Sequence, residues 1–231
     1  IFVNEIDEIP EGSIVIFSAH GVSKEVEREA YKYNLKIFDA TCPLVTKVHL
    51  EAQSHDKKGR KLILIGHEGH PEVEGTSGQV ESEVTLISSV EDIDHLNFSP
   101  EDNLAYVTQT TLSVDDTRNI INKLIERFPN ITGPNLKDIC YATQNRQNAA
   151  KEMTKIVDLI LVIGAKNSSN SNRLCDIGKE MGKESYLIND VNDIKLEWKQ
   201  NIEKLGITAG ASAPEQLVKE VVDFLQEKFE T

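Results

Sequence analysis

One design recurs along this chain: a short run of branched apolar residues, a loop of small polar residues, then a stretch with helical periodicity. Ile14-Val15-Ile16-Phe17 runs into Ser18-Ala19-His20-Gly21 and a helix from Ser23 through Ala30. Lys36-Ile37-Phe38 meets Asp39-Ala40-Thr41-Cys42-Pro43, where Pro43 suits a first helical turn and Val45, Val48 and Ala52 supply an apolar stripe. Ile63-Leu64-Ile65 opens into Gly66-His67-Glu68-Gly69-His70-Pro71-Glu72-Val73-Glu74-Gly75-Thr76. A weaker run follows at 84–87, then others at 104–107, 159–163, 185–188 and 205–208, that at 159–163 the most apolar of all. Apolar runs this short read as buried strands rather than helices. Strand and helix alternating throughout predicts an α/β fold with mainly parallel sheets, in which ligands bind just past the strand C-terminal ends.

The loops at those ends carry the chemistry. The 66–76 loop packs two His, three Glu and three Gly into a short span; Gly lets backbone approach a ligand, and His and Glu move protons or hold anions and metals near neutral pH. Residues 166–173, Lys166-Asn167-Ser168-Ser169-Asn170-Ser171-Asn172-Arg173, lie between the most apolar strand and a helix. Backbone N–H groups at a helix start, with Ser and Asn side chains, make an anion site; a solvated loop with a Ser cap has the same composition. The Gly-x-x-x-x-Gly-Lys phosphate loop is absent. Ser113 with Asp116, and Ser212 with Glu215, have capping-box spacing ahead of helices at 115–128 and beyond 215. Pro129-Asn130-Ile131-Thr132-Gly133-Pro134 reads as a linker, and Ala149, Ala150, Met153 and Ile156 as the apolar positions of the helix beyond it.

His20, His67 and His70 all fall on strand-end loops. His67 and His70 are three apart, a weak zinc signal without further ligands. Glu72 taken alone reads as a solvated surface residue, although an apolar or anion-rich pocket would keep it protonated as an acid. Cys42 and Cys140 each precede a helix, a setting that favours thiolate. Soft thiolates suggest metal or iron–sulfur ligation, but two buried free cysteines fit the pattern better. Cys175 sits within a helical pattern and reads as core.

Composition narrows the partners. The 231 residues carry a formal net charge of −13, with 39% apolar and 27% charged side chains. Such a chain is globular, is not a non-specific nucleic-acid binder, and must hold any anionic ligand by local dipoles and hydrogen bonds. No run approaches a membrane span and no secretory signal is visible. Three cysteines in a chain of this length argue for a reducing compartment. Ile1 stands where an initiator Met would, and the first residues already read as folded sequence, so the chain is expected to begin within a longer protein.

Taken together, Phe17-Ser18-Ala19-His20-Gly21-Val22, the segment from Asp39 through His49, the 63–76 stretch, Thr108-Gln109-Thr110-Thr111, Asp138-Ile139-Cys140, residues 166–173 and Ala209-Gly210-Ala211-Ser212-Ala213-Pro214 closely resemble the 4-hydroxy-3-methylbut-2-enyl diphosphate reductase family, over essentially the whole chain and in the family's order. The resemblance implies three similar α/β domains in a trefoil around a central four-iron four-sulfur cluster. In this chain they would be a remnant of the first at 1–42, the second at 43–136 and the third at 137–231. It implies reductive dehydroxylation of an allylic diphosphate to isopentenyl and dimethylallyl diphosphate, the last step of the methylerythritol phosphate route, with a ferredoxin or flavodoxin as electron donor. Cys42 and Cys140 match two cluster ligands. Glu72 matches the proton relay and Thr110 the residue that orients the leaving hydroxyl. His20, His70, Ser168, Asn170 and Ser212 match diphosphate-holding groups, with Ser169, Gln109 and Thr111 beside them.

The family's first cluster cysteine, in a Gly-Phe-Cys-Ala-Gly stretch, and a further upstream diphosphate-binding His have no match here, and Cys175 matches no ligand. The expectation is therefore a fragment that holds the cluster poorly and has little activity alone. A bacterial cytoplasm is expected over a plastid. Two competing readings are a non-catalytic diphosphate-binding remnant and a zinc-dependent hydrolase built from His70, Glu72 and the cysteines. The reductase reading further requires Cys42, Cys140 and Glu72 to gather around one hollow with Ser168 and Ser212.

Overall fold

The first strand, β1 (Ile14–Phe17), pairs in parallel with β2 (Lys36–Asp39), Ile14 opposite Lys36. Between them runs α1 (Lys24–Lys32), whose start is capped by the Ser23 hydroxyl accepting the Val26 N–H at 3.2 Å. Ile6, Phe17, Ala30 and Leu35 form a small core on the inner side of this pair. The computed structural model describes residues 1–134, 136–200 and 202–229, Phe229 by its backbone alone.

These elements belong to a first unit made of residues 1–110 and 114–139; a second unit is made of 111–113 and 140–231. In the first unit α2 (Pro43–Lys57) leads to β3 (Lys61–Ile65), the middle strand of a three-stranded parallel sheet. After α3 (Pro71–Ser77) comes β4 (Val84–Ile87), which flanks β3 on one side; β5 (Leu104–Thr108) flanks it on the other and runs towards α4 (Val114–Arg127). Leu62, Leu64, Ala105 and Val107 pack with Val48 and Ala52 of α2 and Val73 of α3. The expected α2 stripe is therefore the stripe that is buried. Ile63, Ile65 and Tyr106, which point the other way, are buried as well, as strands covered on both faces must be. The acidic 91–102 connection holds a 3-10 turn, Glu91–His95, tied down by the Arg127 guanidinium donating to the carbonyls of Ile93 and Leu96.

The second unit repeats the plan. Helix α5 (Tyr141–Thr154) precedes β6 (Leu159–Ile163), with every residue of the strand buried. Helix α6 (Ser169–Glu180) leads to β7 (Glu184–Ile188), then β8 (Leu205–Ala209) leads to α7 (Glu215–Phe229), giving the order β7-β6-β8. Ile160 and Val162 pack on one side with Ala150, Leu174 and Ile177; Leu159, Leu161 and Ile163 pack on the other with Val221 and Leu225. Burying a side chain of this kind contributes about 1.5–3 kcal/mol, so the two-sided β6 anchors the unit. Every strand pairing among the described residues is parallel, as the alternation of elements requires.

Three local expectations are corrected. The 129–134 segment is no free tether: the Thr132 N–H donates to the Leu104 carbonyl at 3.1 Å and its carbonyl accepts the Tyr106 N–H at 2.9 Å, adding a bridge to the edge of β5. Helix α7 begins at Glu215, with the Pro214 carbonyl accepting the Val218 N–H, so Ser212 lies ahead of the helix and does not cap it. Ile156 falls beyond the end of α5 and is exposed, as is Ala149; Ala150 and Met153 alone turn inward.

Candidate active site

In the first unit the chain leaves β3 at Gly66, where any side chain would collide: a Cβ would sit 2.6 Å from Val73 and 3.3 Å from the Gln109 side-chain oxygen. That oxygen accepts the His67 N–H at 3.1 Å, so the buried Gln109 staples this loop to the end of β5. Gly69 adopts φ 73°, open to glycine at little cost, and turns the chain into α3. His70 caps that helix, its Nδ1 accepting the Glu72 N–H at 3.1 Å. An Nδ1 that accepts carries no proton, which leaves Nε2–H as the donor the ring offers. Burial first, then the neighbouring His20 and His67, lower its pKa to about 4.

The His20 ring meets His70 edge to face, centroids 5.5 Å apart. Its Nδ1 lies 3.2 Å from the Ser18 hydroxyl, and desolvation lowers its pKa. The β1–α1 loop that carries it turns at Gly21, with φ 74°, pressed against His49 of α2; a Cβ there would lie 2.5 Å from the His49 ring. His49 is itself buried, with Nε2 lacking a partner among the described residues.

Glu72 follows two residues after His70 and is 1% exposed. It accepts two hydrogen bonds from Thr110, the backbone N–H at 2.6 Å and the hydroxyl at 3.1 Å. Both bonds favour the carboxylate, yet burial outweighs them and raises its pKa to about 7. The reading of Glu72 as a solvated residue is therefore wrong. It is a buried acid that can give up or take a proton at neutral pH.

In the second unit Ser168 caps α6, accepting the Ser171 N–H at 3.3 Å and the Ser171 hydroxyl at 3.0 Å. Ser169 is the first helical residue and half-buried. Asn170 is 4% exposed, and neither its Nδ2 nor its Oδ1 has a partner among the described residues. An orphaned buried amide costs about 1–3 kcal/mol, and a polar ligand at this helix start would satisfy it. The β8–α7 turn lies against the same place, since a Cβ on Gly210 would fall 2.1 Å from the Ser171 hydroxyl and 3.7 Å from Asn170 Nδ2. Ser212 is exposed two residues further along that turn. Thr111 is half-buried on the short stretch that belongs to this unit.

The thiols divide sharply. Cys42 is the N-cap residue of α2 and Cys140 that of α5; both are half-buried, and neither makes a side-chain cap bond. Cys175 is buried in the α6 core and its S–H donates to the Ser185 carbonyl at 3.1 Å, as its core reading predicts. Among the described residues no three His, Cys, Asp or Glu side chains are placed to share one metal ion. The described residues thus offer two half-buried thiols at helix starts, suited to a soft metal.

Several contacts at the site escape sequence reading: Ser171 under Ser168, His49 under Gly21, and Lys47 Nζ at 2.6 Å from the fully buried Asp138. Close glycines at 21, 164 and 210 are the one signal for the first two, and it is faint without coordinates.

Parallel strands whose following loops lead to a buried acid and to a serine-rich helix start have the layout of an α/β enzyme. The particular family is equally plain. Residues 1–226 match the family model described as LytB protein, and the chain belongs to that family. A protein named 4-hydroxy-3-methylbut-2-enyl diphosphate reductase from Wolbachia pipientis wMel is 56% identical over 227 residues, covering 98% of this chain and 74% of that protein. One so named from Actinobacillus succinogenes is 54% identical over 230 residues, covering 98% and 73%. A solved structure of E-1-hydroxy-2-methyl-but-2-enyl-4-diphosphate reductase from Plasmodium falciparum aligns with TM-score 0.93 at 39% identity, over 98% of this chain and 71% of that one. The chain thus spans about three quarters of these relatives, all of them oxidoreductases by name. No helix among the described residues is long and apolar enough to cross a membrane.

Proposed function

We propose that the chain acts as a 4-hydroxy-3-methylbut-2-enyl diphosphate reductase, removing the allylic hydroxyl as water to give isopentenyl and dimethylallyl diphosphate. The observation that carries this reading is Glu72, a buried carboxyl with a pKa of about 7, gripped twice by Thr110. A hydroxyl is a poor leaving group until protonated. A neutral carboxyl in a dry site supplies that proton at physiological pH. Thr110 holds the acid in place, and while its hydroxyl proton goes to Glu72 its hydroxyl oxygen keeps a lone pair to accept from the substrate hydroxyl.

The diphosphate end needs donors rather than net positive charge, because the chain is acidic overall. Ser168, Ser169 and Asn170 at the start of α6, Ser212 on the adjacent turn, the Nε2–H of His70 and the His20 ring supply them. Gln109 and Thr111 lie on the loop that carries Thr110. Anchoring the diphosphate fixes the far end of the substrate, so its binding energy serves orientation of the reacting carbon. Cys42 and Cys140 would hold part of a four-iron four-sulfur cluster, the group that provides electrons and Lewis acidity when bound. Ferredoxin or flavodoxin would deliver the electrons, in a reducing cytoplasm that suits three unpaired cysteines.

One observation favours a second reading. Among the described residues two half-buried thiols head helices while the third thiol is buried in the core, a thiol set that also suits a diphosphate-binding module that retains no iron. Anaerobic reconstitution with iron and sulfide, an iron count, and turnover with dithionite separate the two. The reductase reading expects a brown protein whose iron is lost in Cys42→Ser and in Cys140→Ser. It also expects product formation that Glu72→Gln lowers roughly a hundredfold. Tight diphosphate binding with no iron retained overturns it in favour of the module.

A further inference from the structure

Ser171 lies one turn into α6 with 1% of its surface exposed. Its hydroxyl has one partner among the described residues, Ser168 Oγ at 3.0 Å. A buried hydroxyl proton without an acceptor is costly, so Ser171 donates and Ser168 accepts. The Ser171 backbone N–H donates to the same oxygen at 3.3 Å. A serine oxygen accepts two hydrogen bonds. The acceptor capacity of Ser168 is therefore filled from within the helix, and the proton left on this half-buried hydroxyl can only be given outward.

Two glycines make room for this arrangement. A Cβ on Gly164 would fall 2.1 Å from the Ser171 hydroxyl and 2.7 Å from its Cβ, and one on Gly210 2.1 Å and 3.4 Å from the same atoms. Ser171 is thus seated in a socket that exists because both neighbours lack side chains. Beside it, Asn170 presents a buried carboxamide with no partner of its own among the described residues.

We propose that Ser171 is a positioning residue for anion binding: seated between Gly164 and Gly210, it commits the Ser168 hydroxyl to donate, so that this helix start selects ligand oxygens that carry no proton. The proposal rests on the diphosphate-binding role given to Ser168 above. A committed donor welcomes an ionised diphosphate oxygen and refuses a ligand hydroxyl that must itself donate. Ser171 acts without touching the ligand.

The test is the Kd of inorganic diphosphate for the whole chain, by calorimetry, with thermal midpoints alongside. Ser168→Ala weakens binding if the diphosphate reading is right. Ser171→Ala weakens it roughly five- to tenfold, and the double variant binds no more weakly than Ser168→Ala alone, because the two act as one unit. Gly210→Ala, whose new methyl meets mainly the hydroxyl, weakens binding in the parent and adds little once Ser171 is Ala. If Ser168→Ala leaves Kd unchanged, the diphosphate reading itself falls and the proposal with it. If Ser168→Ala weakens binding while Ser171→Ala does not, or if their losses add, the positioning role alone is overturned.

Discussion

His70 caps the helix that carries Glu72: its Nδ1 accepts the Glu72 amide proton at 3.1 Å. One residue thus ends the turn, orients the acid and presents Nε2–H beyond it. The two side chains also titrate in opposite senses. Burial lowers the His70 pKa to about 4 and raises that of Glu72 to about 7, so both are neutral across the interval between.

Their effects on stability oppose one another. The neutral Glu72 contributes stability that is fully present below the unfolded-state value of 4.5 and lost as pH rises through about 7. The neutral His70 contributes stability present above 6.5 and lost as pH falls towards 4. Glu72→Gln keeps an oxygen for the Thr110 N–H and removes only the first of these slopes. The variant is expected to gain stability relative to the parent as pH rises from about 4.5 to about 7, by up to about 3 kcal/mol. Thermal midpoints of both proteins across that range check it; a constant difference would count against a buried, protonated Glu72.

Replacing His70 separates its two tasks. His70→Ala removes the cap and costs about 1 kcal/mol of stability, together with roughly tenfold in diphosphate affinity from the lost Nε2–H donor. His70→Asn restores a side-chain acceptor for the Glu72 N–H, so its midpoint stays near the parent's while affinity stays low. Equal stability losses in the two variants would show that the cap bond matters little.

How far the sequence reaches depends on how local the physics is. The run Leu159–Ile163 has one stable fate, a strand buried on both sides, and it takes it. Cys175 falls on the apolar face of α6, and its burial follows from period alone. Glu72 is the opposite case. It lies in a short charged stretch with no period that marks it as inward, and the partner that holds its carboxyl is Thr110, 38 residues away. Ser212 fails as a cap because the Pro214 carbonyl starts the helix later than the spacing suggests. Thr132, in a segment rich in turn formers, joins β5 through backbone groups that carry no side-chain signature. Helix starts with Ser168, Cys42 and Cys140 were legible because caps are local; the partners that tune them were not.

The bridge at Thr132 rests on a close contact that can be tested. Gly133 lies over the Tyr106 ring, where a Cβ would come within 2.3 Å of the ring carbons. Tyr106 is buried in β5 and has no room to retreat. Gly133→Ala is expected to cost about 1–3 kcal/mol, as overpacking does, whereas Gly12→Ala meets nothing within 4 Å. Urea midpoints of the two variants compare a collision with an open site; because Gly12 has φ 75°, its own loss measures strain alone.

The three thiols should differ in reactivity by position. Cys42 and Cys140 head helices, half-buried and free of cap bonds. Cys175 is buried, donates to the Ser185 carbonyl at 3.1 Å, and burial pushes its pKa up. Thiolate is the reacting form, so an aromatic disulfide reagent is expected to label Cys42 and Cys140 in the native chain and Cys175 only after unfolding. Peptide mapping of the labelled chain assigns the sites. Cys175→Ala should cost about 1–2 kcal/mol as a lost core contact and leave iron retention untouched, whereas Cys42→Ser and Cys140→Ser should abolish retention with little change in stability. Rapid native labelling of Cys175, or iron loss in Cys175→Ala, would move the proposed ligand set away from the two helix starts.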